Sequence, residues 1–456
     1  MTKVQFPLVH LVRVAAVALV VSVPLVVIPW GQDAYSRPKV LVLYSLVAVM
    51  LGGWAVLRLL SRRPWTLSAP ELAVWAFVLA SLISSWTTVN PRLTFFGAPG
   101  RYEGLLTLGS YAALYFIGVQ FFGSKTGLHH LIRWAALAAL PVVVYGVLQL
   151  FIDPLFYGEA FTKEWYGGLG LRRVPSTVGG PVVFGGYLVF VIPLLLVLAI
   201  TARGAFRMIW LAGSSFAIVA LALTLTRAAW LAAIVGLVIV AIGVGKSEWR
   251  RQRAVIAGVA ATVVLAVVLL VTVVATPQQM GTRVASTLAT QSGSVASRLF
   301  IWQRTFDLIR TRPLLGWGIE TLREIFPYER NVLVRYFGLR PVIIDRAHND
   351  TLHMAVSVGV PGTVAYVVFW LLVIAAAVRV WRRESGADRM IAAGWLGALT
   401  GYLIQAQFSF SSVALTPIIW LLAGAACGWD AETPNDADAE TRQRGNAHAD
   451  VSDHGQ

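Results

Sequence analysis

LALTLTRAAWLAAIVGLV, residues 221–238, carries a single ionisable side chain, Arg227, between two apolar arms. Followed outward, the arms grow into runs at about 206–223 and 228–245, each close to the length of about 20 residues that a helix needs to cross about 30 Å of hydrocarbon. Arg227 then stands at a tight turn between two membrane spans. Comparable runs recur at about 8–29, 39–60, 69–89, 104–122, 130–151, 180–200, 254–276, 351–378, 390–406 and 411–428. The expected fold is therefore an all-α polytopic membrane protein with about 12 transmembrane helices. A chain of 456 residues that is 57% hydrophobic and only 13% charged has too little charge for a soluble protein, and the short alternating segments of a β-barrel are absent. The first run has no A-x-A-like site before Pro29 and Trp30, so it reads as a membrane helix rather than a cleaved leader.

Basic residues set the expected orientation. The exits of even-numbered spans carry Arg58, Arg62 and Arg63; Lys125 and Arg133; Arg203 and Arg207; Lys246, Arg250, Arg251 and Arg253; and Arg379, Arg382, Arg383 and Arg389. Lys and Arg gather in cytoplasmic loops, so both termini are expected in the cytoplasm and the odd-numbered exits outside. This accounts for the net charge of +15 without nucleic acid, for which the chain has no soluble basic domain. Residues 1–428 read as one transmembrane domain. Its two long external loops lie at about 152–179 and, between spans nine and ten, about 277–350. The acidic, Ala-rich segment 429–456 has no apolar periodicity and reads as a disordered cytoplasmic tail. The lone cysteine, Cys427, excludes a disulfide within the chain.

The larger external loop breaks the charge trend. It holds Arg283, Arg298, Arg304, Arg310, Arg312, Arg323, Arg330, Arg335, Arg340 and Arg346 against few carboxylates, and an anionic ligand is the simplest reason. Within it, VASRLFIWQRTFDLIR (295–310) puts Leu299, Trp302, Phe306 and Ile309 at helical spacing, flanked by Arg298 and Arg304. That pattern predicts an amphipathic helix on the membrane surface or over a cavity. PLLGWG (313–318) follows as a turn.

The loop ends in RAHNDTLHMAVSVGVPG (346–362). Of the seven histidines only His348 and His353 fall on or near the outer side. His348 reads either as an external general base, since imidazole takes a proton near neutral pH, or as part of a helix start capped by Asn349 or Asp350. His353 falls inside the helix and reads as packed or hydrogen-bonded. Arg227 reads either as a phosphate-binding fork or as an arginine snorkelling from a helix end. RRVPSTVGGPVVFGGYL (172–188) places Arg172 and Arg173 before a Gly-rich helix mouth, whose backbone amides suit an anion but also simply mark a loop end. In FFGAPGRYEG (95–104), Arg101 and Glu103 read as a local ion pair. The outward aspartates form no Asp-x-Asp pair, so no metal site and no cofactor is expected. Arginine is left to neutralise any phosphate.

In order, the chain shows a Pro-Ser-Thr-x-Gly segment opening a span and a Thr-Arg-Ala at a tight outer turn. It then shows a late external loop with Arg and Trp followed by Pro-Leu-Leu-Gly-x-Gly, and Ala-His-Asn-x-x-Leu with Gly-x-Pro-Gly in the next span. This ordered set, centred on 172–362, resembles the O-antigen ligase and O-antigen polymerase family. The chain departs from it with Val-Gly-Gly-Pro (178–181) where Gly-Asn-Pro-Asn is common, and Thr-Arg where Ser-Arg is common.

The resemblance implies a GT-C-like integral-membrane glycosyltransferase in the bacterial cytoplasmic membrane. It implies a glycan donor linked to undecaprenyl pyrophosphate, and an outer-face hydroxyl acceptor such as lipid A-core, a glycan or a protein. Arg227, Arg298 and His348 match the family's catalytic positions. Arg172, Arg173, Arg304, Arg346 and Asn349 are the expected substrate contacts, with Asn349 orienting His348 or the acceptor. Within the class the alternatives are a polysaccharide polymerase and a protein O-oligosaccharyltransferase. Outside it stands a lipid-linked-glycan flippase, which would favour two six-span halves around a cytoplasmic middle loop.

Overall fold

The computed structural model describes residues 5–28, 30, 33–61, 67–149, 173–269, 293–328, 336–337 and 343–432. The regular elements are helices: α1 (Gln5–Leu25), α2 (Ser36–Ser61), α3 (Ala69–Trp86), α4 (Pro91–Phe96), α5 (Leu105–Phe122), α6 (Lys125–Leu148), α7 (Pro181–Thr201), α8 (Gly204–Leu223), α9 (Arg227–Val244), α10 (Lys246–Arg251), α11 (Arg253–Leu269), α12 (Gly293–Thr311), α13 (Leu322–Ile325), α14 (Asp350–Arg383), α15 (Gly386–Ala406) and α16 (Thr416–Ala431).

Each apolar run of the sequence coincides with one of these helices. Among the described residues, 9 are long and apolar enough to cross a membrane by themselves. The other three runs are filled by α11 and α16, of 17 and 16 residues, and by α15, whose 21 residues include Asp388, Arg389 and Gln405. The chain is a polytopic helical membrane protein.

α7 is the axis of the bundle. Of its most apolar window 94% is buried inside the protein, so it meets other helices rather than lipid. α5 and α16 approach most closely, because Gly118 and Gly424 face each other's backbones. A methyl on Gly424 would run into the Tyr115 carbonyl, and one on Gly118 into that of Leu421. Small residues at such crossings let helices pack by dispersion where no hydrophobic drive separates protein from lipid.

The connections alternate between two ends. At one end Thr177 donates to the Pro24 carbonyl (2.7 Å), Arg173 to that of Thr224 (2.8 Å), and Ser411 to the Glu103 carboxylate (2.8 Å). Arg101 pairs there with Asp345 (2.6 Å). These contacts tie together the exits of α1, α3, α6, α8 and α15 and the loop ahead of α14. At the other end Lys125 pairs with Asp388 (2.5 Å), Arg379 with Asp430 (2.6 Å), and Arg207 with Gln252 (2.6 Å). The former is called the loop end below and the latter the basic end.

Three expectations change. The span expected from 411 begins at Thr416, because Ser411 and its neighbours form a polar loop. The same helix runs on to Ala431, past the expected start of the tail, whose residues 433–456 lie outside the described ones. The helix expected over 351–378 is broken at Gly359 (φ 74°). There the Val356 and Ser357 carbonyls accept from Trp317 N (2.9 Å) and Gly318 N (3.0 Å), and Val360 N donates to the Pro313 carbonyl (2.8 Å). A methyl at Gly359 would strike the Leu314 carbonyl. The break satisfies backbone groups that a membrane helix cannot leave bare. It also clamps the 313–318 turn onto α14, which explains why both glycine-rich motifs occur together. Much of the two long loops, 150–172, 270–292, 329–335 and 338–342, lies outside the described residues.

Candidate active site at the loop end

The loop end carries the backbone strain of the molecule. Among the described residues, the non-glycine residues with positive φ are Tyr102 (58°), Ser176 (53°), Leu225 (52°), Glu320 (63°) and His348 (51°), and all belong to this end. Left-handed backbone costs a branched or bulky side chain more than histidine, and such strain gathers where geometry is dictated by function.

The centre of this end is an ion cluster. Arg346 Nη2 lies 2.6 Å from Glu320 and 2.9 Å from Glu103, and all three side chains are at most 3% exposed. Glu103 also accepts from Ser411 (2.8 Å) and Tyr111 (3.2 Å), and His353 Nε2 sits 3.7 Å from Glu320. Burial works to raise the Glu320 carboxyl, yet Arg346 and His353 hold it at about 2. Burial pushes Glu103 up, against the pull of Arg346. Burial opposes the charge on Arg346, but Glu320 and Glu103 keep its guanidinium above its ordinary range.

The cluster joins three segments far apart in sequence. It therefore fixes the loop that bears His348 relative to the α3–α5 connection and the 313–320 turn. Arg346 was expected at the substrate; the structure commits its charge to two buried carboxylates. Arg101 and Glu103 were expected to pair locally; instead Arg101 pairs with Asp345 and Glu103 with Arg346.

His348 follows directly. Its ring lies 5.8 Å from that of Phe410, whose face is covered by Arg101 at 4.3 Å. Burial, and then the charges of Arg298 and Arg101, push the imidazole down to about 4, so it is neutral at neutral pH. Asn349 caps α14: its side chain accepts from Leu352 N (2.8 Å), and Asp350 accepts from Tyr366 (2.7 Å). The cap accounts for Asn349 and leaves His348 outside the helix. His353 is buried beside Glu320, as a packed histidine should be.

Arg298 projects from α12. Its cationic form is disfavoured first by burial and then by the charge of Arg227. Together with its effect on His348, this puts Arg227, Arg298 and His348, from three distant segments, within electrostatic reach of one another. Among the described residues no carboxylate pairs with Arg298. Arg173 donates to the Thr224 carbonyl and to Thr226 Oγ1 (2.9 Å), bracing the turn that presents Arg227. Arg172 lies outside the described residues.

Arg304, six residues after Arg298 and hence about 120° around the helix, pairs loosely with Asp307 (3.8 Å) and covers the Phe300 ring. The apolar stripe expected on α12 is only partly buried within the protein. Leu299 and Phe306 are exposed, while Phe300, Ile301, Thr305 and Ile309 are buried. On the face of Arg298 lie Trp302 and Thr305, whose buried Nε1 and Oγ1 have no hydrogen-bond partner among the described residues.

Beside the cluster opens a cavity of about 360 Å³ lined by Arg101, Glu103, Phe410, Ser411 and the Gly179–Val183 mouth of α7. The Gly-rich helix mouth expected to hold an anion thus forms one wall of a polar cavity. Among the described residues no three His, Cys, Asp or Glu side chains are grouped as metal ligands. Sequence reasoning missed Glu320 and Phe410 and gave Glu103 the wrong partner. Serines 409, 411 and 412, crowded between apolar runs, were the signal for the last of these segments.

A family model described as O-antigen ligase matches residues 212–367, a stretch that includes Arg227, Arg298, His348 and the clamped turn. This match bears out the resemblance of the ordered motifs and supports membership of the O-antigen ligase family. It also supports O-antigen ligase-like activity in general terms, with a lipid-linked glycan donor and a glycan acceptor. No curated protein matches the chain.

Proposed function

We propose that this O-antigen ligase-like chain transfers a glycan from undecaprenyl pyrophosphate to a hydroxyl acceptor at the loop end of the bundle, on the outer face of the cytoplasmic membrane. The observation that carries this reading is Arg298, a half-buried cation whose strongest charged neighbour is another arginine, held next to a neutral histidine. Like charges are kept together in a poorly solvated place when an anion is to be bound there.

In this reading Arg227 and Arg298 hold the pyrophosphate. The acceptor oxygen attacks the anomeric carbon, the bond from that carbon to the pyrophosphate oxygen breaks, and the electron pair leaves with the lipid carrier. The attack comes from the opposite face and inverts the anomeric centre. Negative charge grows on the departing oxygen, and two guanidiniums stabilise it where little water competes. The acceptor proton passes to His348, an effect worth about 10²–10⁴ in rate. Burial, and then the charge of Arg298, make His348 a weak base. A bound pyrophosphate offsets that charge and raises the imidazole's basicity, so the base is strengthened by the arrival of its donor. Arg173 supports Arg227 through the Thr224–Thr226 turn, and Arg346 holds the His348 loop in place rather than touching the donor.

The test is transfer by the purified protein from undecaprenyl-pyrophosphate-linked glycan, with EDTA present, to lipid A-core, to a second lipid-linked repeat or to a Ser/Thr-rich protein. Product on one acceptor, lost in Arg227→Ala and His348→Ala at unchanged melting, is the expected result and identifies the acceptor class. Movement of lipid-linked glycan across a liposome bilayer with no product on any acceptor would overturn the reading.

A further inference from the structure

A second cavity lies away from this site, at the basic end. It is a groove of about 490 Å³ between α1 and α6, closed by the end of α5. On α1 it is lined by His10, Arg13, Val14 and Val17, at spacings of three, four and seven residues, which is one helical face. On α6 it is lined by Gly127, His130 and Trp134, again one face; Phe121, Phe122, Ser124 and Thr126 complete it.

The two helices begin at the same end, so the groove has a polarity. His10, Arg13, Ser124, Thr126 and His130 form its mouth. Val14, Val17 and Trp134 form its walls toward the middle of the bundle, and Phe121 and Phe122, at the end of α5, flank the mouth. From His10 to Val17 the helix rises about 10 Å.

No lining residue is acidic. The charged groups that face His130 are Arg133 and Arg13, both cationic. Trp134 donates its indole N–H to His130 Nε2 (2.9 Å), which leaves the neutral ring's proton on Nδ1, as a donor. Arg13 is steadied over the groove by its Nε bond to the Phe121 carbonyl (3.1 Å).

We propose that this groove binds an anionic glycerophospholipid, with its phosphate among His10, Arg13 and His130 and its acyl chains along Val14, Val17 and Trp134. A cationic mouth over an apolar, laterally open trough has the chemistry of a lipid headgroup site. A soluble anion would have no use for the trough. The basic end is the one that the arginine distribution assigns to the cytoplasm, where the leaflet is anionic and basic pockets between helices collect acidic lipids. The site would anchor α1 to α5 and α6, far from the catalytic arginines.

The test is native mass spectrometry of the detergent-purified full chain after incubation with equimolar phosphatidylglycerol and phosphatidylcholine. Wild type is expected to retain phosphatidylglycerol about tenfold better, and Arg13→Gln/His130→Gln to bring the two lipids close to parity while melting as wild type does in lipid-free detergent. Val17→Trp, which fills the trough and keeps the charges, is expected to lower retention of phosphatidylglycerol. Equal retention of both lipids by wild type, an undiminished preference in the double variant, or displacement of phosphatidylglycerol by millimolar inorganic phosphate would each overturn the proposal.

Discussion

Arg346 and Arg298 stand at the same end of the same bundle, and the protein treats them oppositely. Arg346 is 1% exposed and has two carboxylates within hydrogen-bond distance. Arg298 is half-buried, and the charge it feels most is that of Arg227. A buried arginine needs compensation, so the contrast separates a cation whose partner is built into the fold from one whose partner has to arrive. The first fixes the position of the His348 loop. The second, by our reading, waits for pyrophosphate.

Removing each arginine and measuring melting in detergent separates the two roles most strongly. Arg346→Ala strands Glu103 and Glu320 and is expected to cost about 3–5 kcal/mol, enough to lower the melting temperature by many degrees. Arg298→Ala relieves a repulsion and should melt at or above the wild-type temperature; a large loss there would make it a second structural brace. In transfer the order reverses. Arg298→Ala is expected to lower turnover by about 10²–10³ in a fully folded protein, the cost of losing one charge-stabilising donor.

A finer distinction comes from pH. With His348 pushed down to about 4, the acid limb of kcat/KM for the wild type is expected near pH 4. Removing the Arg298 charge favours the imidazolium and so raises that limb. Arg298→Gln should therefore shift the limb upward in its residual activity, and an unmoved limb would disconnect the two residues. The Arg346 cluster responds elsewhere. Glu320 is depressed, so its stabilising contribution is full above the ordinary carboxylate range and is lost as pH falls toward about 2. Glu320→Gln should flatten acid unfolding in that window. The smallest effect is expected from Asn349→Ala, which removes the α14 cap at a cost of about 1 kcal/mol in melting, with no change in the pH limb.

The sequence made the helices legible because a run of apolar residues near 20 has few alternatives in a membrane. The basic residues also grouped the connections, since Lys125, Arg207 and Arg379 of the even-numbered exits meet their partners at one end. The break in α14 was only half legible. Gly359 and Pro361 were visible, but the partner that takes the freed carbonyls lies 39 residues earlier, at Trp317 and Gly318. The site shows the same limit. Arg227 stood out because it interrupts 221–238. Arg346 and His348 are two residues apart and were both expected at the substrate, yet an irregular segment points neighbours in different directions. Only the fold brings Glu103 and Glu320 to one of them. On α12 the spacing picked out Ile309, which is buried, and Leu299 and Phe306, which are exposed as a helix on a membrane surface allows, but it left out the buried Phe300 and Ile301.

The most direct measurement is equilibrium binding of undecaprenyl pyrophosphate to the purified protein, comparing wild type with Arg298→Ala. The carrier is expected to bind the wild type, with affinity falling at least tenfold in Arg298→Ala while the fold and the Arg346 cluster stay intact. Equal affinity in both proteins would contradict that expectation.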